Sequence, residues 1–186
     1  MYTDAIETLV PRTVQPVSLA ALKSHLQLNR PDDDADLGLY QSAAVERFEA
    51  ETGRSVIATT FRQWFDGTRC PVRFARGRAS SVVQVRNGTA VLTGWSVDVV
   101  GTVGRLFAPP AGWPDVDVHG PRVLSVDFVA GWANAAAVPP DVVLALKLLA
   151  AHYWASRNAF SDSTMQETPD GFRRICDRYR IDMGIG

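Results

Sequence analysis

The spacing of apolar positions changes period twice along the chain. Leu19, Leu22 and Leu26 recur at helical intervals behind Ser18, a good N-cap, and predict a short helix ending near Leu28. The stretch NRPDDDAD then breaks the pattern, and its aspartates suit the positive end of a second helix over about 35–52. Leu37, Tyr40, Ala44 and Phe48 form the apolar stripe of that helix, and Gly53 is a natural residue just past its end. Residues 1–17 read as an extended arm, because Pro11 and Pro16 bar a helix across it.

After Gly53 the period shortens to that of strands. Val56 to Phe65 is rich in β-branched and aromatic residues. Val82 to Arg86 and Thr89 to Thr93 flank Asn87-Gly88, which predicts a hairpin on a type I′ turn. Further strands are predicted at 95–100, 104–107 and 122–129, with a Pro-rich loop at 108–115. The last strand runs into Ala130-Gly131-Trp132. A small-residue loop leads from there to Pro139-Pro140-Asp141, which opens a long apolar helix to about 158. A polar stretch precedes a last helix over about 170–180. Leu146, Tyr153 and Trp154 are expected in a bundle core with Leu22 and Phe48. The fold class is therefore α+β: a helical bundle (18–53 and 139–181) interrupted by a mainly antiparallel β insertion (54–131), all within one domain spanning 1–186.

Composition narrows the function classes. An apolar fraction of 46% supports a sizeable core, and a net charge of −1 favours no class of partner. Cys70 and Cys176 lie far apart without zinc-type spacing, which points to a reducing compartment. The N-terminus has no signal-peptide pattern, and no apolar run is long enough for a membrane span.

Candidate chemistry is sparse. Asp115, Asp117 and His119 alternate and could share one face of a strand as a metal triad, although a solvated polar face fits them better. His25 and His152 sit beside apolar helix positions and read as structural histidines. Gly101 to Gly104 lacks the lysine and helix of a phosphate loop, and the sequon at Asn87 reads only as a turn. No nucleophile, base and oxyanion donor converge, and nothing in the chain reads as a catalytic device. The alternative is a small ligand-binding or enzymatic domain with its site in the β insertion.

Two blocks of residues carry a family resemblance. The first is Pro16-Val17-Ser18-Leu19 with Lys23, His25 and Leu26, followed by Asp33-Asp34 and Glu51-Thr52-Gly53-Arg54 with Ile57 and Thr60. The second is Val126 to Trp132, Val138-Pro139, then Ala151-His152-Tyr153-Trp154 and Arg157. Together they resemble the head–tail connector (adaptor) proteins of phages, of the lambdoid-connector and Burkholderia-phage groups, and the adaptors of gene transfer agents. The resemblance spans roughly residues 16–158. It implies a non-enzymatic virion protein that needs no cofactor and forms a ring, usually dodecameric, beneath the portal protein. Such a ring joins the DNA-filled head to stopper and tail-completion proteins and lets double-stranded DNA pass through its channel. It implies assembly in the bacterial cytoplasm and residence in the neck of the particle.

Two arginine groups are candidate contact sites under that resemblance. Arg69, Arg73, Arg76, Arg78 and Arg86 lie in a stretch without acidic residues, either a solvated face or a patch touching DNA or an acidic neighbour. Arg173, Arg174, Arg178 and Arg180 sit on the last helix beside Phe172 and Tyr179, with Ile181, Met183 and Ile185 beyond. This segment either packs on its own bundle or docks on the portal or an adjacent subunit. Being terminal, it is expected to be able to leave the bundle without unfolding it.

Overall fold

The computed structural model describes residues 5–67, 71–113, 119–156 and 168–181. They divide into two compact units, one built mainly of strands (1–13, 53–132 and 181–186) and one of helices (14–52 and 133–180). Among the described residues, the β unit therefore takes in the N-terminal arm and Ile181 as well as the central insertion.

The arm is a true strand. β1 (Ile6–Val10) pairs antiparallel with β2 (Thr59–Gly67). β2 pairs with β8 (His119–Ala130), β8 with β4 (Ala79–Asn87), and β4 with β5 (Ala90–Leu92), giving a five-stranded antiparallel sheet in the order β1-β2-β8-β4-β5. A three-stranded sheet holds β3 (Val72–Arg73), β7 (Arg105–Phe107) and β6 (Ser96–Asp98), in the order β3-β7-β6. Both sheets contribute to one core. Phe61 and Phe65 of β2, Leu124, Val126 and Phe128 of β8, and Val85 of β4 meet Val72, Phe74 and Leu106 there. Phe128 lies between two other rings, stacked on Phe74 at 4.5 Å and tilted against Phe61 at 5.9 Å. Gln63 shares the inward row of β2 and stays satisfied by main chain: it accepts from the Ala75 N–H at 2.8 Å and donates to the Arg73 carbonyl at 3.4 Å.

Two irregularities in β4 decide which of its residues face the core. Ala79 pairs with Ala130 but Ser81 with Val129, and Val82 pairs with Phe128 but Gln84 with Asp127. Ser80 and Val83 are thus bulged residues. Strict alternation would bury Val83; the bulge turns Val82 inward and leaves Val83 61% exposed. The predicted hairpin is present with a different turn. Asn87 pairs with Ala90, so the loop is Gly88-Thr89, and of Asn87, Gly88 and Thr89 only Gly88 has a positive φ. That suits a II′-type turn with glycine first, in place of the I′ turn expected from Asn-Gly.

The end of β8 explains the Ala130-Gly131-Trp132 signal. The main chain of 131–132 runs against 56–58: Ala58 N–H donates to the Trp132 carbonyl at 2.8 Å and Trp132 N–H to the Val56 carbonyl at 3.2 Å. Gly131 has φ +115, and a Cβ there would lie 2.6 Å from the Ile57 carbonyl carbon. Only glycine permits both the dihedral and the approach.

In the helical unit, α1 (Leu19–Leu26) starts on Ser18, whose hydroxyl accepts from Ala21 N–H at 3.1 Å. α2 (Asp34–Thr52) buries Leu37, Ala44, Val45 and Phe48. Its buried Gln41 donates to the Val17 carbonyl, fixing the chain that leads into α1. Lys23 joins the two helices through Asp34 at 2.6 Å and the Arg30 carbonyl at 2.8 Å, a local reason for the aspartate-rich junction. α3 (Pro140–Ala155) buries Val142, Ala145, Leu146 and Leu149. α4 (Asp170–Tyr179) contributes Phe172 and Cys176. Leu22, Phe48 and Leu146 are core residues as expected, but Tyr153 and Trp154 are only half-buried. They pack against Tyr40, also half-buried, with ring centroids 6.5 and 6.4 Å away.

Two tests follow from this packing. Gly131→Ala should lower stability by at least about 1–3 kcal/mol from backbone strain alone, plus the cost of the clash. Gly112→Ala, at φ +82 with open space around it, should show only the strain. Equal shifts in the urea midpoint would show that the approach at Gly131 is not tight. Second, burial pushes the Cys176 thiol up to about 12 from an ordinary 9.0, with Glu51 adding to the rise. In a Cys70→Ser background Cys176 should resist thiol reagents until the protein unfolds. Because the native state holds that proton longer, its contribution to stability should fade as pH climbs from about 9 towards about 12. Rapid labelling of the native protein would contradict the burial.

Candidate assembly surfaces

The register places one set of side chains on the outer face of the five-stranded sheet, opposite the core. Glu7, Arg62, Asp127 and Gln84 form one row across β1, β2, β8 and β4. Trp64, Ser125, Arg86 and Val91 form the next, across β2, β8, β4 and β5. The first row centres on a two-pronged ion pair: Arg62 Nε donates to Asp127 Oδ1 at 2.6 Å and Nη2 to Oδ2 at 2.8 Å. Asp127 is 5% exposed although it faces away from the core, so β8 is covered on both sides. Donating to Asp127 raises the Arg62 guanidinium's pKa further above its ordinary high value. At the start of β8 the Arg122 guanidinium lies 5.7 Å from the Trp64 ring, and the Arg122 main-chain N–H donates to Asp66 Oδ1 at 3.0 Å.

The first group of predicted arginines does not converge on one face. Arg86 lies on this outer face and bonds Gln84. Arg73 lies on the outer side of the three-stranded sheet, beside Arg105, which pairs with Asp98 at 2.6 Å. Arg105 and the Val100 N–H hold the Asp98 carboxyl below the usual carboxylate range. Arg76 and Arg78 leave the sheets and lie over the Phe61 and Trp132 rings, 5.6 and 5.3 Å from their centroids. Arg69 lies outside the described residues, as do Asp115, Asp117 and the side chain of His119. Among the described residues no group of three potential ligands could hold a metal ion. Sequence reasoning missed Arg62, Arg105 and Arg122, which become visible only once the strand register puts them beside Asp127, Arg73 and Trp64.

The second group is gathered on α4. Arg173, Arg174, Arg178 and Arg180 are all exposed. Arg178 and the Tyr179 hydroxyl reach Asp141 at 3.1 and 2.8 Å. Arg180 reaches Glu51 at 3.3 Å and Asp177 at 3.5 Å, and Arg47 completes the cluster at 2.6 Å from Glu51. Arg174 makes no ion pair among the described residues. A cleft of about 230 Å³ between α2 and α4 is lined by Arg47, Arg173 and Arg180 against Glu51 and Asp177, with Phe172 and Cys176 also on its walls. The thiol in that cleft remains protonated near neutral pH, so the cleft offers a cationic rim and no nucleophile.

One expectation about this segment needs correction. Phe172 is 1% exposed and meets Phe48 at 6.4 Å. Ile181 is 6% exposed, and its side chain fills the space a Cβ would take at Gly77. Both residues are internal packing groups here, so α4 cannot leave without uncovering Phe48. The exposed surface of this segment is that of the four arginines, with half-buried Tyr179 beside them. Met183 and Ile185 lie outside the described residues.

No family model matches the chain, and no curated protein matches it. Solved structures share its fold over essentially the whole length. A chain in the neck of an empty gene transfer agent (GTA) particle computed with C6 symmetry superposes with a TM-score of 0.81 at 24% identity, covering 98% of both chains. A chain from the virion of a native GTA particle gives 0.73 at 20% identity, covering 97% of each. A chain in the neck of a native GTA particle computed with C12 symmetry gives 0.67 at 22% identity, covering 100% of this chain and 98% of the other. The resemblance read from the sequence agrees with this shared fold.

The buried and the exposed side of α4 can be told apart by substitution. Phe172→Ala should cost on the order of 3–5 kcal/mol as a cavity in the helical unit. Arg174→Ala should stay within about 0.5 kcal/mol of the parent. A comparable loss from both in thermal unfolding would show that Arg174 is structural.

Proposed function

We propose that this chain is a structural adaptor in the neck of a phage-like particle of the gene transfer agent kind. The observation that carries the reading is the fold shared across 98% of both chains with a GTA neck protein. A match over nearly the whole of both chains favours a like role over a borrowed module. Copies form a ring between the portal of the DNA-filled head and the stopper or tail-completion protein, and double-stranded DNA passes through the channel. The protein works by stoichiometric contact, without turnover or cofactor. It assembles in the bacterial cytoplasm and ends in the particle.

The surfaces support assembly better than catalysis. The exposed arginines of α4 suit carboxylates and carbonyl oxygens on a portal or neighbouring subunit, and arginine is enriched where interfaces are centred. Arg73 with Arg105 offers a small cationic strip to passing phosphates, a contact that would need no sequence readout. The outer face of the five-stranded sheet balances its arginines with Glu7, Asp66 and Asp127, so it suits a protein partner better than DNA. A ligand-binding or enzymatic β unit has less support, since its polar groups there are engaged in ion pairs and main-chain bonds.

Removing this chain from particle-producing cells should leave filled heads and separate tails in electron micrographs, with joining restored by the parent chain. A variant with Arg173, Arg174 and Arg178 changed to Ala should be folded yet defective in joining. Tailed particles formed in the complete absence of the chain would refute the adaptor role.

A further inference from the structure

The five-stranded sheet ends on two strands whose outer edges pair with no other described strand, β1 and β5. Open edges template further strands, and proteins usually blunt them with lysine, proline or a covering element. Here the blunting is slight. Residues 89–93, Thr-Ala-Val-Leu-Thr, carry no charge and no proline, and β1 carries only Glu7 and one bulge between Thr8 and Val10. Val10 and Val91 are each 55% exposed. The register puts both on the same outer face, Val10 in the row of Thr60 and Val129, Val91 in the row of Arg86 and Ser125. The two edges also differ in charge: Glu7 marks the β1 end of that face, while Arg86 marks the β5 end, where residues 86–93 hold no acid.

We infer that β5 of one copy receives β1 of the next, joining the sheets head to tail around the ring. The inference rests on the ring proposed above and names the surface that closes it. Strand direction supports it. Every neighbour in the sheet is antiparallel, so β1 and β5, first and fifth in order, run the same way. A rotation about an axis near the strand direction preserves that sense and brings β5 beside the next β1 as a parallel pair. Such a contact is heterologous and can repeat until the ring closes, whereas β1 meeting β1 across a twofold axis would stop at two copies. Val10 and Val91 then cover each other, and Glu7 approaches Arg86 over the join.

The test uses the full chain assembled in particles, in a Cys70→Ser background. Val10→Cys with Val91→Cys should give a ladder of multimers with a short bis-maleimide, while each single variant stays monomeric. Val91→Lys should leave the circular dichroism of the free protein unchanged and abolish the ring. Charge reversal should weaken ring formation in Glu7→Lys or Arg86→Glu alone and restore it in the pair. If particles show a ring by electron microscopy yet the double-cysteine variant gives no ladder, or Val91→Lys still assembles, this edge contact is wrong and the adaptor reading stands. Dimers from Val10→Cys alone would overturn the head-to-tail arrangement in favour of a twofold one. Absence of any ring in particles would overturn both readings.

Discussion

The β unit depends on one strand being covered on both sides. β8 pairs with β2 on one flank and β4 on the other, sends Leu124, Val126 and Phe128 into the core, and holds Asp127 nearly buried on the opposite face against Arg62. A carboxylate in that position would be costly to bury alone, and the two-pronged arginine removes most of that penalty. The same strand ends at Gly131, where main chain approaches main chain too closely for any side chain. Register, core and outer face are thereby set by a single element. The rows of outward residues that could meet a partner exist only because β8 cannot slip: a shift of one position would bury Asp127 in the aromatic core and expose Phe128.

The helical unit follows a different logic. Its interior is mostly aliphatic, closed by Phe48 and Phe172, and apart from buried Gln41 most of its polar contacts lie near helix ends. Asp141 at the start of α3 receives Arg178 and Tyr179, and Glu51 near the end of α2 receives Arg47 and Arg180. These exposed pairs add little stability individually. Their effect is to hold a basic helix in place while its arginines still face outward, an arrangement suited to docking.

Much of this was legible in the sequence, and the exceptions have physical causes. The helices were visible because Ser18, Gly53 and the Pro139-Pro140 pair punctuate clear apolar stripes. The antiparallel hairpin was visible from Asn87-Gly88, though the turn moved by one residue because pairing at Asn87 extends the ladder. The bulges at Ser80 and Val83 were not visible, since ASSVVQV satisfies simple alternation equally well in a wrong register. β1 hid behind its flanking prolines, which exclude a helix without arguing for a strand. β3 is only two residues long and leaves no periodic trace. Tyr153 and Trp154 seemed core residues by size, yet large amphipathic rings are often half-buried, as these are. Phe172 and Ile181 looked like docking anchors because terminal apolar residues can serve either role, and only three-dimensional packing shows which. The arginine cluster of 69–86 dispersed because strand alternation and two cation–ring contacts send its members to different faces.

The central proposal is that this chain serves as a neck adaptor. Electron cryo-microscopy of particles that contain it tests that claim most directly. The account predicts density for this chain between head and tail, in a ring of copies related by rotation about the tail axis, with α4 facing a neighbouring protein. Particles whose neck has no density for the chain, or that carry it as isolated copies away from the head–tail junction, would contradict the account.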